Sequence, residues 1–365
     1  MELKRHICTE IKELRVHGRN SRRPLPCVPL FWTGAAVEIN VTGRELWFEY
    51  TCVYNGHEGY LRIEIDGFDM FRFMLEEGTH KVCIYNEFEP EKVKNVRIYR
   101  ENQASDTSIT INSFYTDGEF IPLPERKHKI EFYGDSVTSG EGLAGSRNIN
   151  IWIPAVFSSR GNYALRVAEE LDADWSVISQ SGWGYFCDWT GKTVNAIPRV
   201  YDKVCGPAKS DSQIALGAND PYDFENDKTD ICIINLGAND ASGFCKLKLT
   251  HEDGSETKIR KLFDGSIDPE DVKLLHNAVY GFCKKIREHK KDAHIIWCLG
   301  MLTDTFMGVI KAAAEQFVSE NNDNKIHTII VPKAPPELVG SRNHPGAMAH
   351  KMYADAITEQ IKKFL

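Results

Sequence analysis

Five short, almost wholly apolar runs recur through the last two-thirds of the chain: KIEFYG (129–134), SVISQSG (176–182), ICIINLG (231–237), HIIWCLG (294–300) and HTIIVPKA (327–334). Each has the length of a strand, and helical patterns separate them. Such runs belong in a parallel sheet covered on both faces, whose strands need crossover helices between them. The intervening segments supply the helices. In the clearest, Asp268 and Pro269 make an N-cap and first-turn proline, and Val272, Leu275, Val279, Phe282 and Ile286 form one apolar stripe. A last helix is expected from about 346 to 364. The alternation predicts an α/β domain with a parallel sheet and helices on both faces, expected here to be flavodoxin-like.

Residues up to about 115 have another texture. AAVEINV, ELWFEYTCVY, YLRIEID, FRFMLEEG, HKVCIYN, NVRIYR and TSITINSFY alternate with period two and are broken by Gly, Asn and Asp about every ten residues. That pattern predicts an all-β antiparallel sandwich, expected here to be jelly-roll-like. The stretch TDGEFIPLPERKHK, with its two prolines and charge cluster, reads as a linker. The expected organisation is a β-sandwich over 1–120, a linker over 121–128 and the α/β domain over 129–365.

Residues delivered just beyond the carboxyl ends of such strands are the ones that meet a ligand. Here they are Gly134, Asp135 and Ser136; then Ser181, Gly182, Trp183 and Gly184; then Gly237, Asn239 and Asp240; and, after the last strand, His344 within SRNHPG. A lone serine after a strand is ordinarily a turn residue. It becomes a nucleophile when a histidine takes its proton and donors are fixed in advance for the oxyanion. His344 can be that base. The backbone N–H groups of Ser136 and Gly184 and the side-chain amide of Asn239 can be three donors, glycine at 184 allowing close approach to substrate. Asp135 and Asp240 are read as shaping turns, and His350, six residues beyond His344, as a packing or solvent residue, with the role of base as its alternative. GDSVT is not the nucleophile elbow, which has glycine where Thr138 stands.

The four stretches GDSVTSGEG, SQSGWG, INLGAND and NHPGAMAH resemble, in order and separation, the four sequence blocks of the SGNH (GDSL-like) hydrolases. Joined to a β-rich N-terminal half, they further resemble carbohydrate esterase family 2, whose members remove acetyl groups from plant polysaccharides and their oligosaccharides. The resemblance implies Ser136 as nucleophile, His344 as base, and Ser136, Gly184 and Asn239 as the oxyanion hole, acting through an acetyl-serine intermediate without metal or organic cofactor. Many SGNH hydrolases carry aspartate three residues before the histidine; here that residue is Ser341. Family 2 members are similar in lacking it, so the resemblance implies a Ser-His dyad whose histidine is oriented by a backbone carbonyl, with Asp188 the reserve for a displaced acid. The implied substrates are acetylated xylo- or manno-oligosaccharides. A short-chain esterase or lysophospholipase would use the same residues, and a non-catalytic carbohydrate-binding protein would not need Ser136.

Trp183, Trp189 and Trp152 are each either core aromatics or stacking platforms for a sugar ring, Trp183 being the one placed inside a block. The long polar stretches 186–230 and 246–261 are expected to be loops that shape the acceptor side.

Composition limits the partners. The 365 residues are 42% hydrophobic and 26% charged, with a formal net charge of −8, which argues against a broad nucleic-acid or acidic-membrane surface. The N-terminal MELKRHICTEIKEL has no apolar core, and no run approaches the ~18 apolar residues of a membrane span. A cytoplasmic location is the expectation. The ten cysteines are scattered without a CxxC pair and read as reduced thiols rather than disulfides or a zinc site. Homo-oligomerisation is compatible with the sequence.

Overall fold

The computed structural model describes residues 3–103 and 105–365, and these form two compact units. The first comprises Met1–Arg126 together with Trp152–Arg160 and Lys203–Tyr222; the second is Lys127–Ile151, Gly161–Asp202 and Asp223–Leu365.

The first unit is built on two antiparallel sheets. One runs Lys4–Ile7, Thr107–Thr116, Leu46–Tyr54, Gly78–Tyr85; the other runs Phe120–Ile121, Ala36–Val41, Lys94–Arg100, Tyr60–Ile65, Phe68–Met74. The period-two signal is realised directly. In Leu46–Tyr54 the buried Leu46, Phe48, Tyr50 and Cys52 alternate with Trp47, Glu49 and Thr51, and they share one core with Val37, Ile39, Leu61, Ile63, Val96 and Ile98 of the facing sheet.

The domain boundaries differ from the expectation. Two stretches assigned by sequence to 129–365 pack with the first unit, and the division falls between Arg126 and Lys127 rather than across 121–128. Their anchors are polar and distant in sequence. The buried Glu101 carboxylate accepts from Ser159 Oγ (2.6 Å), Ser159 N (3.1 Å) and Ser158 Oγ (3.0 Å). Trp32 Nε1 donates to Val204 O at 2.6 Å. Trp152 lies in this first unit, edge-on to His57 and against Phe157.

In the second unit the parallel strands are β1 (His128–Gly134), β2 (Ala173–Ser179), β3 (Ile231–Asn235), β4 (His294–Leu299) and β5 (Ile326–Ile330). Their order is 2-1-3-4-5, that of the flavodoxin-like doubly wound sheets. The helices that serve the argument are α1 (Tyr163–Glu170), α2 (Ala238–Phe244), α3 (Pro269–His289), α4 (Met307–Asn321) and α5 (Ala347–Ile361). α1 packs with α5, and α3 with α4. Neighbouring side chains of β1 point to opposite faces: Phe132 meets Tyr163 of α1, and Tyr133 meets Phe282 of α3. Helices therefore cover both faces, as the continuous apolar strands require.

α3 starts as expected, with the Asp268 carboxylate accepting from Glu270 N at 2.9 Å. It buries Leu275, Val279, Phe282, Cys283 and Ile286, while Val272 is only half-buried. The stretch 246–261 is not a featureless loop: Lys248–Thr250 and Glu256–Lys258 pair as a small antiparallel hairpin. Among the described residues, no helix is long and apolar enough to cross a membrane, and no group of three or more His, Cys, Asp or Glu is placed to hold a metal ion.

Candidate active site

The register levels the ends of three strands. Gly134 of β1 stands opposite Ser179 of β2 and Asn235 of β3, so the turns that follow them emerge side by side. The first is tight: Asp135 Oδ1 accepts from Val137 N (3.0 Å), Ser139 N donates to Asp135 O (2.9 Å) and Glu141 N to Ser136 O (2.9 Å). Its opening glycine is obligatory, because a Cβ at Gly134 would overlap the Thr138 side chain. The turn holds Ser136, nearly buried, at its head.

His344 arrives from the far end of the unit. Its Nε2 stands 2.8 Å from Ser136 Oγ, so residues 208 positions apart share a hydrogen bond. Its Nδ1 stands 2.9 Å from Arg342 O. A carbonyl can only accept, so the proton sits on Nδ1 and the lone pair of Nε2 faces the serine hydroxyl. Arg342 and the following Asn343 both take left-handed backbone conformations, φ 55° and 57°, which cost a non-glycine residue energy and persist only where the surroundings impose them. Here the imposing contacts come from the loop after β1. Arg342 N donates to Ile149 O (2.8 Å), Arg342 Nη1 to Asn150 O (3.0 Å), Ser341 N to Gly142 O (3.1 Å) and Ser341 Oγ to Ala144 O (2.9 Å). Gly142, at φ +89°, lies so near that a Cβ would sit 2.5 Å from His344 Cβ.

The second turn, SGWGYF, is organised by Asp240. Its buried carboxylate accepts from the backbone N–H groups of Tyr185 (3.0 Å), Phe186 (2.8 Å) and Cys187 (3.0 Å). Burial pushes this carboxyl up to about 6, against the pull of those three donors. Gly184 packs on the same group, and a Cβ there would overlap the carboxylate. Glycine at 184 is thus required by Asp240. Asp240→Ala is expected to strand three N–H groups, two of them, those of Tyr185 and Cys187, in buried hydrogen bonds. Each costs about 1–3 kcal/mol when buried and unpaired, so the denaturation midpoint should fall; a variant as stable as native would contradict this role.

Asn239, the second residue of α2, donates through Nδ2 to Trp183 O at 2.9 Å and, more weakly, to Asp135 Oδ2 at 3.4 Å. One amide thereby ties together the turns after β1, β2 and β3. Asp135 is buried, and burial, followed by the like charges of Asp240 and Glu141, pushes its carboxyl up to about 7 although Val137 N pulls it down.

The remaining candidates separate clearly. His350 is fully buried: Tyr163 N donates to its Nδ1 at 3.1 Å, and burial pushes its imidazole down to about 3, so it is a neutral packing residue. Asp188 serves its own loop, accepting from Thr190 N (2.8 Å), Thr190 Oγ1 (2.6 Å), Lys192 N (3.0 Å) and Asn195 Nδ2 (2.7 Å). Trp183 is half-buried and Trp189 exposed, the latter with its ring edge over Gly182. Two residues escaped the sequence reading. Glu141 is buried, accepting from Ser181 Oγ (2.7 Å) and Arg342 Nε (2.5 Å), with one oxygen 4.0 Å from His344 Nδ1. The available signal was the charge itself: Glu141 and Arg342 are ionic residues inside otherwise small-residue blocks.

A serine hydroxyl bonded to a correctly tautomeric imidazole, beside an amide and glycine-rich turns, is the equipment of acyl transfer. No family model matches the chain. Among solved structures, an acetyl xylan esterase (Est2A) from the rumen bacterium Butyrivibrio proteoclasticus is similar to it with a TM-score of 0.96 and 34% sequence identity, covering 100% of this chain and 98% of that one. A family two carbohydrate esterase from Cellvibrio japonicus is similar in fold, with a TM-score of 0.80 and 19% identity over 99% of this chain and 97% of that one. In sequence, the chain is 24% identical over 341 residues to the cellulase/esterase CelE of Acetivibrio thermocellus. The match takes in 92% of this chain but only 37% of that protein. It is 25% identical over 266 residues to an acetylxylan esterase / glucomannan deacetylase of Cellvibrio japonicus, covering 71% of this chain and 70% of that protein.

Proposed function

The chain belongs to carbohydrate esterase family 2, among the SGNH hydrolases, and from that premise we propose that it removes acetyl groups from plant polysaccharide fragments, acetylated xylo- or manno-oligosaccharides, through an acetyl-serine intermediate. The observation that carries this reading is the Ser136 Oγ to His344 Nε2 bond of 2.8 Å backed by the His344 Nδ1 to Arg342 O bond of 2.9 Å. Ser136 Oγ attacks the acetyl carbonyl while Nε2 takes its proton. The developing oxyanion is held by the backbone N–H groups of Ser136 and Gly184 and by Asn239 Nδ2, whose long contact to Asp135 is the one given up. The sugar oxygen leaves with the proton from His344, and water repeats the sequence to release acetate. In this reading His344 works in a dyad with a neutral acceptor, and Trp183 offers a face to the sugar ring.

The first unit is proposed to be a jelly roll. Its support is the interleaved strand order of the two sheets: with the two-residue edge strand Phe120–Ile121 set aside, the first, eighth, third and sixth of the strands described above form one sheet and the second, seventh, fourth and fifth the other. The ten cysteines, all free thiols, are in keeping with a reducing, cytoplasmic location.

The experiment is turnover of acetylated xylan and mannan fragments, set against long-chain esters, by native protein and Ser136→Ala. Acetate release confined to the native protein and to short acyl groups is the expected result; preference for long-chain esters would favour a lipase-like activity, and unchanged sugar binding without turnover a binding protein. Asn239→Ala is expected to lower kcat by roughly a hundred- to a thousandfold with little change in KM, the usual cost of one oxyanion donor. An unchanged kcat with a raised KM would make Asn239 a ground-state binding residue.

A further inference from the structure

We infer that Glu141 is a positioning residue for His344: it holds the Arg342 carbonyl on the imidazole and supplies, from 4.0 Å, the negative charge that a carbonyl lacks. The inference rests on the esterase reading of the site. Its starting point is a deficiency. A backbone carbonyl fixes the tautomer of His344 but offers only a dipole to the imidazolium formed when Ser136 gives up its proton, whereas a triad's aspartate offers a full charge.

Glu141 meets both needs through one network. Its Oε1 accepts from Arg342 Nε at 2.5 Å and its Oε2 from Ser181 Oγ at 2.7 Å, so the carboxylate is fixed from two sides. Arg342 in turn is the residue whose left-handed backbone aims its carbonyl at Nδ1. Grip on the guanidinium therefore steadies the strained peptide that orients the base. The charges are unequal in their surroundings: the Glu141 side chain is 2% exposed and that of Arg342 27%. Solvent screens the cation more than the anion. The other ionisable groups around the pair do not replace it. Asp135 and Asp240 are committed to backbone N–H groups of the first two turns, and His350 is buried and neutral.

The test is Glu141→Gln in the full chain, with Glu141→Asp beside it. An opposite charge within about 4–6 Å favours the charged form of a base by roughly one to three pH units, and Arg342 offsets part of that. With the charge removed, kcat for a soluble acetyl ester should fall about tenfold, with KM within about twofold of native. The acid limb of the pH–rate profile should move to lower pH by about one unit, because the imidazolium is less stabilised. Glu141→Asp keeps the charge and should recover part of both. A native kcat and an unmoved acid limb in Glu141→Gln would overturn the inference, as would a rate loss matched by a fall in thermal midpoint with the limb unmoved. Should Glu141→Gln fail to fold, the nitrogen NMR titration of His344 in the smaller neutral variant Glu141→Ala decides the matter, since a midpoint identical to native there would be equally fatal. That titration needs no substrate. If native protein hydrolyses no acetyl ester, the esterase reading fails by itself, and the titration still judges Glu141.

Discussion

Ser136→Ala is expected to lower acetyl-ester turnover by about 10⁴-fold or more while leaving the fold and the thermal midpoint close to native. The size of the effect follows from what is lost. Without Oγ there is no atom 2.8 Å from His344 Nε2 to carry the acyl group, and only the oxyanion donors remain to assist direct attack by water. The fold should tolerate the change because the hydroxyl holds no part of the turn: Ser136 contributes its backbone O to Glu141 N, and the Asp135 side chain caps Val137. Steady-state release of acetate, with circular dichroism as the control, is the measurement. A Ser136→Ala variant within tenfold of native would remove the serine from the chemistry.

His344→Ala carries the second large effect, and its significance lies in combination. Alone it should cost a loss of about the same order, since the hydroxyl is a poor nucleophile without a base. If serine and histidine act as one unit, the second loss adds little to the first, as residues of one catalytic constellation are far from additive. The double variant Ser136→Ala, His344→Ala should therefore be no more than about tenfold slower than Ser136→Ala. Losses that multiply would mean two independent roles.

The parts of this architecture legible in sequence are those written in local pattern. The strands Ile231–Asn235 and His294–Leu299 are buried runs with no polar face, and their carboxyl ends could be located without knowing what lay between them. That alone brought Ser136, Gly184, Asn239 and His344 to one edge. The opposing case is the first unit's claim on Trp152–Arg160 and Lys203–Tyr222. Those segments are held by Glu101, Trp32 and an Arg23–Asp220 ion pair, single long-range polar contacts that leave no periodicity. The hairpin at Lys248–Thr250 and Glu256–Lys258 is too short and charged to show alternation. In the site itself, Ser341 has no carboxylate to offer, and the group that faces His344 Nδ1 is a main-chain oxygen whose direction depends on the left-handed turn at Arg342. Side-chain identity does not encode that. Glu141 was hidden for a related reason: its partners Ser181 and Arg342 lie 40 and 201 positions away.

The central claim is that Ser136 is a nucleophile activated by His344, and covalent trapping tests it most directly. The native protein treated with a serine-directed phosphonate should gain the mass of one adduct, lose esterase activity in step, and yield a modified peptide containing Ser136; His344→Ala should label far more slowly. Loss of activity with the adduct on any other residue, or equal labelling rates in native and His344→Ala protein, would contradict the account.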